Sequence, residues 1–516
     1  MPKRTKCEVC CLKKGELIAV YPKRAKMCLF TFKMAKIQFY MQRILRKISA
    51  FFSRPSDIPS PGSSVTPVVV QRKKHGISRK QLDKSALDVL YGLKRAGYDG
   101  YLVGGCVRDL LLGLEPKDFD VVTNAEPDQV KSVFRQRCRL IGRRFRLAHV
   151  RFGRMVIEVA TFRGQGDGNG RKDRFGRNGK PSGPARQVDD SGRLLRDNVY
   201  GTIDEDVWRR DFTVNALYYD IKTFSITDYV GGLKDIKKGQ IRLIGDPKTR
   251  YREDPVRLIR AIRFAAKLGF KIEKQTEKPI KKLAPLLQDV SNARMFEEVL
   301  KLFHSGQAIQ VFEKLRHYQI FEHLFPLTEQ ILAEEKDGFP RMLVIEALKS
   351  TDKRIREGKS VNPAFLFAAM LWEPMLQRKQ YFLDEGFAHQ DAFYAAANDV
   401  LDQQVMRTAI PKRFTAQIRD IWNLQYRLPK RHGDRAQKLR EHPRFRAAYD
   451  FLGVRAAAGE ADVESIFDWW TSYQEKTPVE QVAFANEVER PKRRRRQRRN
   501  RNFYRKRSQS NSDSNA

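Results

Sequence analysis

An apolar run, Tyr101-Leu102-Val103, meets two glycines, Gly104-Gly105. A short helical stretch from Val107 to Leu112 follows, and Asp118-Phe119-Asp120 then opens a second apolar run. This pattern leaves little freedom. The glycines let the chain turn from strand to helix within two residues, and the second run returns as a strand over Phe119–Thr123. Backbone N–H groups at a glycine-opened helix start can approach an anionic triphosphate closely. Carboxylates at i and i+2 of an extended segment share a face, so Asp118 and Asp120 can both hold Mg²⁺. The pairing points to nucleotidyl transfer.

The chain has 516 residues and a formal net charge of +39, with a hydrophobic fraction of 41%. That length can bury a sizeable core and predicts two or more domains. Such an excess of cations implies a polyanionic partner, nucleic acid or an anionic membrane face. Six cysteines do not make a disulfide scaffold. Cys7 and Cys10 have half a zinc-site spacing, without a second pair nearby, so free thiols in a reducing cytosol are the expectation. No apolar stretch reaches the roughly 18 residues of a spanning helix, because Lys33 and Lys36 interrupt the one from Met27 to Tyr40. No cleavable signal is expected, and Met34 and Met41 are alternative starts.

Residues 1–74 read as a basic, disordered extension that ends in Ser/Pro-rich linker chemistry. A helix is predicted over Ser78–Ala96 with Ser78 as its cap, and another over Pro127–Arg135. His149–Phe152 and Met155–Phe162 read as a hairpin turning at Gly153-Arg154. Residues 164–186 are Gly-, Asn- and Arg-rich without the spacing of a phosphate loop, and read as a mobile insert. Beyond Pro255 helical patterns dominate: Pro255–Leu268, Ala293–Ser305, Gln307–His317, Pro363–Met375, His389–Gln404 and Pro411–Leu428. Residues 491–507 form an arginine-rich run too charged to fold alone. The expected fold is α+β: a small mixed-sheet unit over 75–250, helical segments over 251–320 and 321–488, and a disordered tail over 489–516.

Two metal ions usually want a third carboxylate. Glu158, inside the apolar run Met155–Ala160, and Asp211, after Arg209-Arg210, are the candidates. A charge in a half-buried strand is costly unless paired or metal-bound. The structural alternative for Glu158 is an ion pair with Arg163 or Arg146, and for Asp211 a helix-end charge. Asp254 before Pro255 is good helix-start chemistry. Asp254 and Arg257 lie three apart, so an acceptor and donors can meet on one face. That arrangement suits a base edge with an amino group beside a ring nitrogen. Adenine and cytosine both offer one, so the pair does not separate ATP from CTP. Arg260, Arg263 and Lys267 continue at helical spacing, as a solvated basic stripe or an anion-binding one.

Together these residues resemble the class II template-independent nucleotidyltransferases, the family of CCA-adding enzymes and bacterial poly(A) polymerases. The resemblance runs from about Ser78 to Phe270 through YLVGGCVRDLLLG, PKDFDVVTNA, IEVATFR, RRDFTVNALYYD and YREDPVRLIRAIRFAAKLGF. Arg144–His149 looks like the segment that marks the poly(A) polymerases, and VNPAFLFAAMLW, IPKRF and HPRFRAAYDFLGVRA extend the likeness. The resemblance implies a head over 75–250, a neck over 251–320 and an RNA-binding body and tail over 321–488, with Asp118 and Asp120 as metal-binding catalytic carboxylates and Mg²⁺ (two ions, Mn²⁺ as a substitute) as cofactor. It implies Asp211 as the third acid, ahead of Glu158. Nucleotide contacts are expected from Gly104, Gly105, Arg108, Arg210, Asn215, Asp254 and Arg257. Cys106 stands where a third small residue is usual, which bears on the shape of the phosphate turn. The implied activity is template-independent addition of AMP from ATP to RNA 3′ ends, with pyrophosphate released. A role in mRNA polyadenylation and RNA decay, RNA-decay proteins as partners, and a cytoplasmic location follow as expectations. The rivals are a CCA-adding enzyme, which shares the head, and a non-catalytic RNA-binding adaptor. Docking of the basic N-terminus on anionic lipid is a further expectation.

Overall fold

The computed structural model describes residues 66–142, 146–164, 186–188, 194–197, 199–334 and 341–488. The described chain forms two compact units. One runs to Arg257 and takes in Leu268–Pro279, and the other comprises Leu258–Lys267 and the chain from Ile280. The division therefore falls near Arg257, within the helix Val256–Leu268.

The first unit is built on an eight-stranded sheet. Its strands are β1 (Val68–Val70), β2 (Gly100–Val103), β3 (Asp120–Thr123), β4 (Cys138–Ile141), β5 (Leu147–Phe152), β6 (Met155–Thr161), β9 (Leu217–Asp220) and β10 (Ile226–Asp228). Their order is β1-β10-β9-β2-β3-β6-β5-β4. Only β3 and β6 pair in parallel, and the other neighbours are antiparallel. Two small pairs lie outside this sheet: β7 (Arg186–Val188) with β8 (Leu194–Asp197), and β11 (Gln240–Ile241) with β12 (Lys271–Ile272). The expected hairpin forms, turning where Gly153 takes φ +60°.

Three expectations need correction. The head begins before residue 75, because Val68–Val70 is a strand of the sheet, paired with Ile226–Asp228. Three β-branched residues in succession favour extended backbone, and the edge of β10 supplies the partner. The helix expected from Ser78 is split. Ser78 caps only a 3₁₀ turn, Arg79–Gln81, while Asp83 caps α1 (Lys84–Arg95) by accepting from the N–H groups of Ser85 and Ala86 at 2.7 and 3.1 Å. The helix expected over Pro363–Met375 is two, Pro363–Met370 and Trp372–Asp384. Pro374 has no N–H for the Met370 carbonyl, which accepts from Thr328 Oγ1 at 2.8 Å instead.

α1 and α3 (Pro127–Phe134) pack on the central strands, burying Val89, Leu90, Leu93 and Val130. A second cluster joins Val103, Val122, Phe162, Val207, Ala216, Tyr218, Val230 and Ile244. Burying such side chains stabilises a domain by about 1.5–3 kcal/mol each.

The second unit is helical, as the apolar periodicity predicts. Phe296 stacks on Phe367 with ring centroids 5.8 Å apart, and Phe325 stands 5.8 Å from the same ring. Trp372, Trp422 and Trp470 are fully buried. The indoles of Trp422 and Trp470 donate to the carbonyls of Ala368 and Leu428 at 3.0 and 3.1 Å. Among the described residues no helix is long and apolar enough to cross a membrane. Most of the N-terminal extension, Arg144 and Phe145, the core of the insert (165–185) and the arginine-rich run lie outside the described residues.

Candidate active site

Strand β2 ends at Val103, and Gly104 turns the chain with φ +78° and ψ −134°, a conformation that L side chains rarely adopt. α2 (Gly105–Leu111) starts immediately. Register places Val103 opposite Asp120, so the glycine turn and the second aspartate lie side by side. A Cβ on Gly104 would sit 3.8 Å from Asp120 Oδ2 and 4.0 Å from the Asn215 carbonyl. Asp118 precedes β3 rather than lying in it, and both aspartates are exposed.

The electrostatics at Asp120 reflect desolvation first and crowding of like charge second. Protein atoms around its carboxyl displace water and push its pKa up to about 6. Repulsion from Glu158 adds to this, Arg210 opposes it, and Asp118 contributes a smaller repulsion. Glu158 therefore belongs to the same neighbourhood. Its partner is neither Arg163 nor Arg146. Across the hairpin His149 Nε2 lies 3.3 Å from its Oε1, because register sets the two residues opposite each other.

Cys106 does not line the turn. It is buried, its thiol donates to the Val103 carbonyl at 3.2 Å, and burial, followed by the Asp120 charge, pushes its pKa up to about 12. Arg108 points inward as well and is 2% exposed. Its guanidinium donates to Asp109 Oδ1 at 2.8 and 2.6 Å and to Asn215 Oδ1 at 2.5 Å. Asn215 in turn donates to Asp211 Oδ1 at 3.2 Å, and the same oxygen accepts from the Phe212 N–H at 2.7 Å. Arg108 and Asn215 thus act as supports, linking the glycine-turn helix to the segment that carries Asp211. Asp211 is half-buried, and its carboxylate accepts from the Phe212 N–H just before the 3₁₀ turn Thr213–Asn215.

Arg210 follows α4 (Ile203–Arg209) and donates to Asp206 Oδ2 at 2.9 Å and to the Tyr218 hydroxyl at 2.8 Å. Sequence reasoning missed this buried triad, although Asp206 and Arg210 stand at i, i+4 spacing. The ends of the insert are clasped below it. The Gly164 N–H bonds the Val199 carbonyl at 2.9 Å, and the Gly201 N–H bonds the Phe162 carbonyl at 3.0 Å. Gly201 lies against Gly164 and Glu205 so closely that no side chain fits.

The two residues expected to read the base, Asp254 and Arg257, each have a partner within the helical path. Asp254 ends α6 (Pro247–Glu253), and its carboxylate accepts from the Val256 N–H at 3.3 Å at the start of α7 (Val256–Leu268). Arg257 is 8% exposed and donates to Glu253 Oε2 at 3.1 Å and to the Arg250 carbonyl at 2.7 Å. The residue that anchors Arg257 is therefore Glu253, one turn back on the helical path. Arg250 and Glu253 were not foreseen, although both stand in the charged run before Asp254. Among the described residues no three His, Cys, Asp or Glu side chains form a metal-binding group. The donor set at the glycine turn is a pair of carboxylates with Glu158 close by. That set suits Mg²⁺, which keeps several waters and takes the rest of its shell from substrate phosphate.

Comparison with known proteins decides the family. Residues 100–242 match the model described as "Poly A polymerase head domain", 269–332 match "Probable RNA and SrmB- binding site of polymerase A", and 385–502 match "Polymerase A arginine-rich C-terminus". The chain is 51% identical to Poly(A) polymerase I of Salmonella typhi over 431 residues, covering 83% of this chain and 90% of that one. The chain belongs to the poly(A) polymerase family. The Haemophilus influenzae Poly(A) polymerase I is 45% identical over 83% of this chain and 93% of its own length. A CCA-adding enzyme of Lactobacillus helveticus is 37% identical, over 44% of this chain and 52% of its own. The family is one of nucleotidyltransferases. The Thermotoga maritima CCA-adding enzyme complexed with tRNA shares the fold, with a TM-score of 0.51 at 19% identity over 82% of this chain and 88% of that one.

Proposed function

We propose that this chain is a poly(A) polymerase that extends RNA 3′ ends with AMP from ATP, without a template. The observation that carries this reading is the 51% identity to Poly(A) polymerase I across 83% of the chain, against 44% of the chain for a CCA-adding relative. The geometry supplies the rest. The Gly104–Gly105 turn opens a helix beside the Asp120 carboxylate, an arrangement that supports triphosphate binding there. Asp118 and Asp120 would hold Mg²⁺, which would lower the pKa of the attacking hydroxyl and neutralise the leaving pyrophosphate. The RNA 3′-hydroxyl gives its proton to solvent, its oxygen forms a bond to the α-phosphorus, and the bond from that phosphorus to the bridging oxygen breaks as pyrophosphate leaves. Asp211, fixed by Asn215, is the third acid in this proposal, with Glu158 as its alternative.

Asp254 accepts from the adenine amino group, and Arg257, whose guanidinium has further N–H donors beyond those facing Glu253, donates to the ring nitrogen. This pair admits C as well as A, so the choice of ATP rests on the relatives. RNA is held mainly through its phosphates, by the helical unit and the arginine-rich run. Such tails would mark RNA for decay, with decay proteins as partners in the cytoplasm.

The decisive experiment supplies purified protein and RNA with ATP or CTP separately. Long A tails made from ATP are expected. Efficient CTP incorporation into a tRNA lacking its CCA end, with no A tails, would overturn the reading. Asp118→Ala and Asp120→Ala should each abolish ATP incorporation while RNA affinity stays within about twofold. An adaptor without catalysis would show no incorporation in the unmodified chain.

A further inference from the structure

A cavity of about 710 Å³ lies between α1, α3, the 3₁₀ turn Arg135–Arg137 and the end of β5. Ligand sites commonly enclose about 300–1,000 Å³. Its lining includes Arg95, Arg135, Arg137, Phe134, Phe152 and a single acid, Asp88. Three cations against one acid make it electropositive. Among the described residues none of the three guanidiniums forms a salt bridge. The Arg137 guanidinium stands 5.7 Å from the centre of the half-buried Phe152 ring. The cavity thus joins free positive charge to aromatic faces.

The backbone is shaped to hold this arrangement. Gly92 of α1 carries no side chain, and a Cβ there would lie 2.7 Å from Phe134 Cε1. The Phe134 ring therefore rests on the helix itself. Arg135 takes φ +48° and ψ −119°, a conformation that L side chains rarely adopt. Strain of this kind persists where the surrounding structure enforces it, and it gathers at binding sites.

Register separates the cavity from the catalytic carboxylates. Ala148, Val150 and Phe152 share one face of β5, and His149 and Arg151 share the other. Val159 stands opposite both Ala148 and Val121. Val121 therefore lies on the Phe152 face, and Asp120 lies with His149 on the opposite one. Strand β4 is the sheet edge between them. Arg139, exposed and paired in register with His149, stands on the Asp120 face, while Arg137, just before β4, lines the cavity. Cations thus flank the edge on both sides.

The geometry points to a second RNA site: single-stranded RNA upstream of the reacting 3′ end passes round the β4 edge and places a base and its phosphates in the Phe134/Phe152 cavity. The inference rests on RNA as the substrate. Unstacked bases bind on aromatic faces and guanidinium planes, and phosphates pair with arginine. The Asp88 carboxylate suits a ribose hydroxyl or a base amino group, so the phosphates lie toward Arg135 and Arg137.

The test measures RNA affinity of the full chain without nucleotide, so it reads the cavity independently of tailing. Oligo(A) of about 4 and of about 20 nucleotides brackets the size of single-strand sites. Arg135→Gly suits the strained backbone, and Arg137→Gln removes the second cation. The double variant should melt as the unmodified chain does. It is expected to bind the long RNA about tenfold more weakly, and to flatten its salt slope by about 1.4, two contacts of about 0.7 each. Affinity for the short RNA should stay within twofold. Phe152→Leu should weaken the long RNA about fivefold with its salt slope unchanged. Arg95→Gln, on an exposed helix surface, decides the matter should the double variant fail to fold. Unchanged long-RNA affinity in folded variants would overturn the inference, and so would an equal loss for short and long RNA. Loss of binding to AMP or to polyglutamate, with long-RNA affinity intact, would assign the cavity to another occupant and overturn it too. Absence of ATP incorporation by the unmodified chain, beside the expected binding results, would refute the proposed activity and leave this site standing.

Discussion

Asp228 offers a sharp test of how the segment after Asp211, the proposed third acid, is supported. It ends β10, is 3% exposed, and accepts four backbone hydrogen bonds. Oδ1 takes the N–H groups of Val230, Gly231 and Gly232 at 3.1, 2.9 and 3.0 Å, and Oδ2 takes that of Leu233 at 2.9 Å. These groups open α5 (Gly232–Lys238), whose Asp235 accepts from Thr213 Oγ1 at 2.7 Å. Gly232 lies against the Thr213 carbonyl so closely that a Cβ there would collide with it. Asp228 thus holds a helix that holds the turn carrying Asp211 and Asn215. Asp228→Ala strands four donors. A buried donor without its acceptor costs about 1–3 kcal/mol, so the low end of the range gives about 4 kcal/mol in total. That is a large share of a typical stability of about 5–15 kcal/mol. With about 2–4 °C per kcal/mol for a unit of this size, the melting step should fall by about 8–16 °C. Asp228→Asn keeps one acceptor and presents an amide donor to the Leu233 N–H, for a cost of about 1–2 kcal/mol. Circular dichroism melting of the full chain measures both, and ATP incorporation assayed across temperature should fail earlier in the same order. An Asp228→Ala protein melting within about 2 °C of the unmodified chain would refute the reasoning.

Two further predictions concern the site and the RNA grip. The Asp120 pKa, raised to about 6, means that a proton competes for the carboxylate below that value. At limiting Mg²⁺ activity should fall as pH drops through about 6, and more Mg²⁺ should move the limb to lower pH; a limb indifferent to Mg²⁺ would count against the assignment. The sign for stability is the reverse: a raised folded-state pKa means that charged Asp120 destabilises the protein, and protonation relieves this as pH falls from about 6 toward 3.8. Eleven Lys and Arg side chains lie between Lys492 and Arg507. Each phosphate contact contributes about −0.7 to the slope of log affinity against log salt for single strands, so ending the chain at Val488 should flatten that slope markedly. An unchanged slope would place the RNA grip elsewhere.

Much of the head was legible because it rests on short-range rules. The strand–glycine–helix–strand order, the hairpin at Gly153 and the helical second half all follow from backbone sterics and apolar periodicity. Periodicity failed where a side chain competed with it, as when Asp83 recaptured the helix start from Ser78. It failed also at Val68–Val70, which has no strand identity until β10 offers its edge. The site shows the same division. Gly104 and Asp120 lie side by side as the pattern puts them, whereas Asp118 falls outside the strand, Arg108 is buried against Asn215, and Glu253 accepts from Arg257.

By itself, the sequence determined the local units and the class of chemistry, because a glycine turn beside two alternate carboxylates is set by a few bonds of backbone geometry. It could not choose partners among 100 cationic and 61 acidic side chains. Arg108 finds Asn215 at a separation of 107 residues, and Arg250 finds carbonyls 40 and 41 residues back. Only the packed structure decides such pairs. A buried guanidinium must satisfy its donors within about 3 Å, and burial removes the water that would otherwise make every partner equivalent.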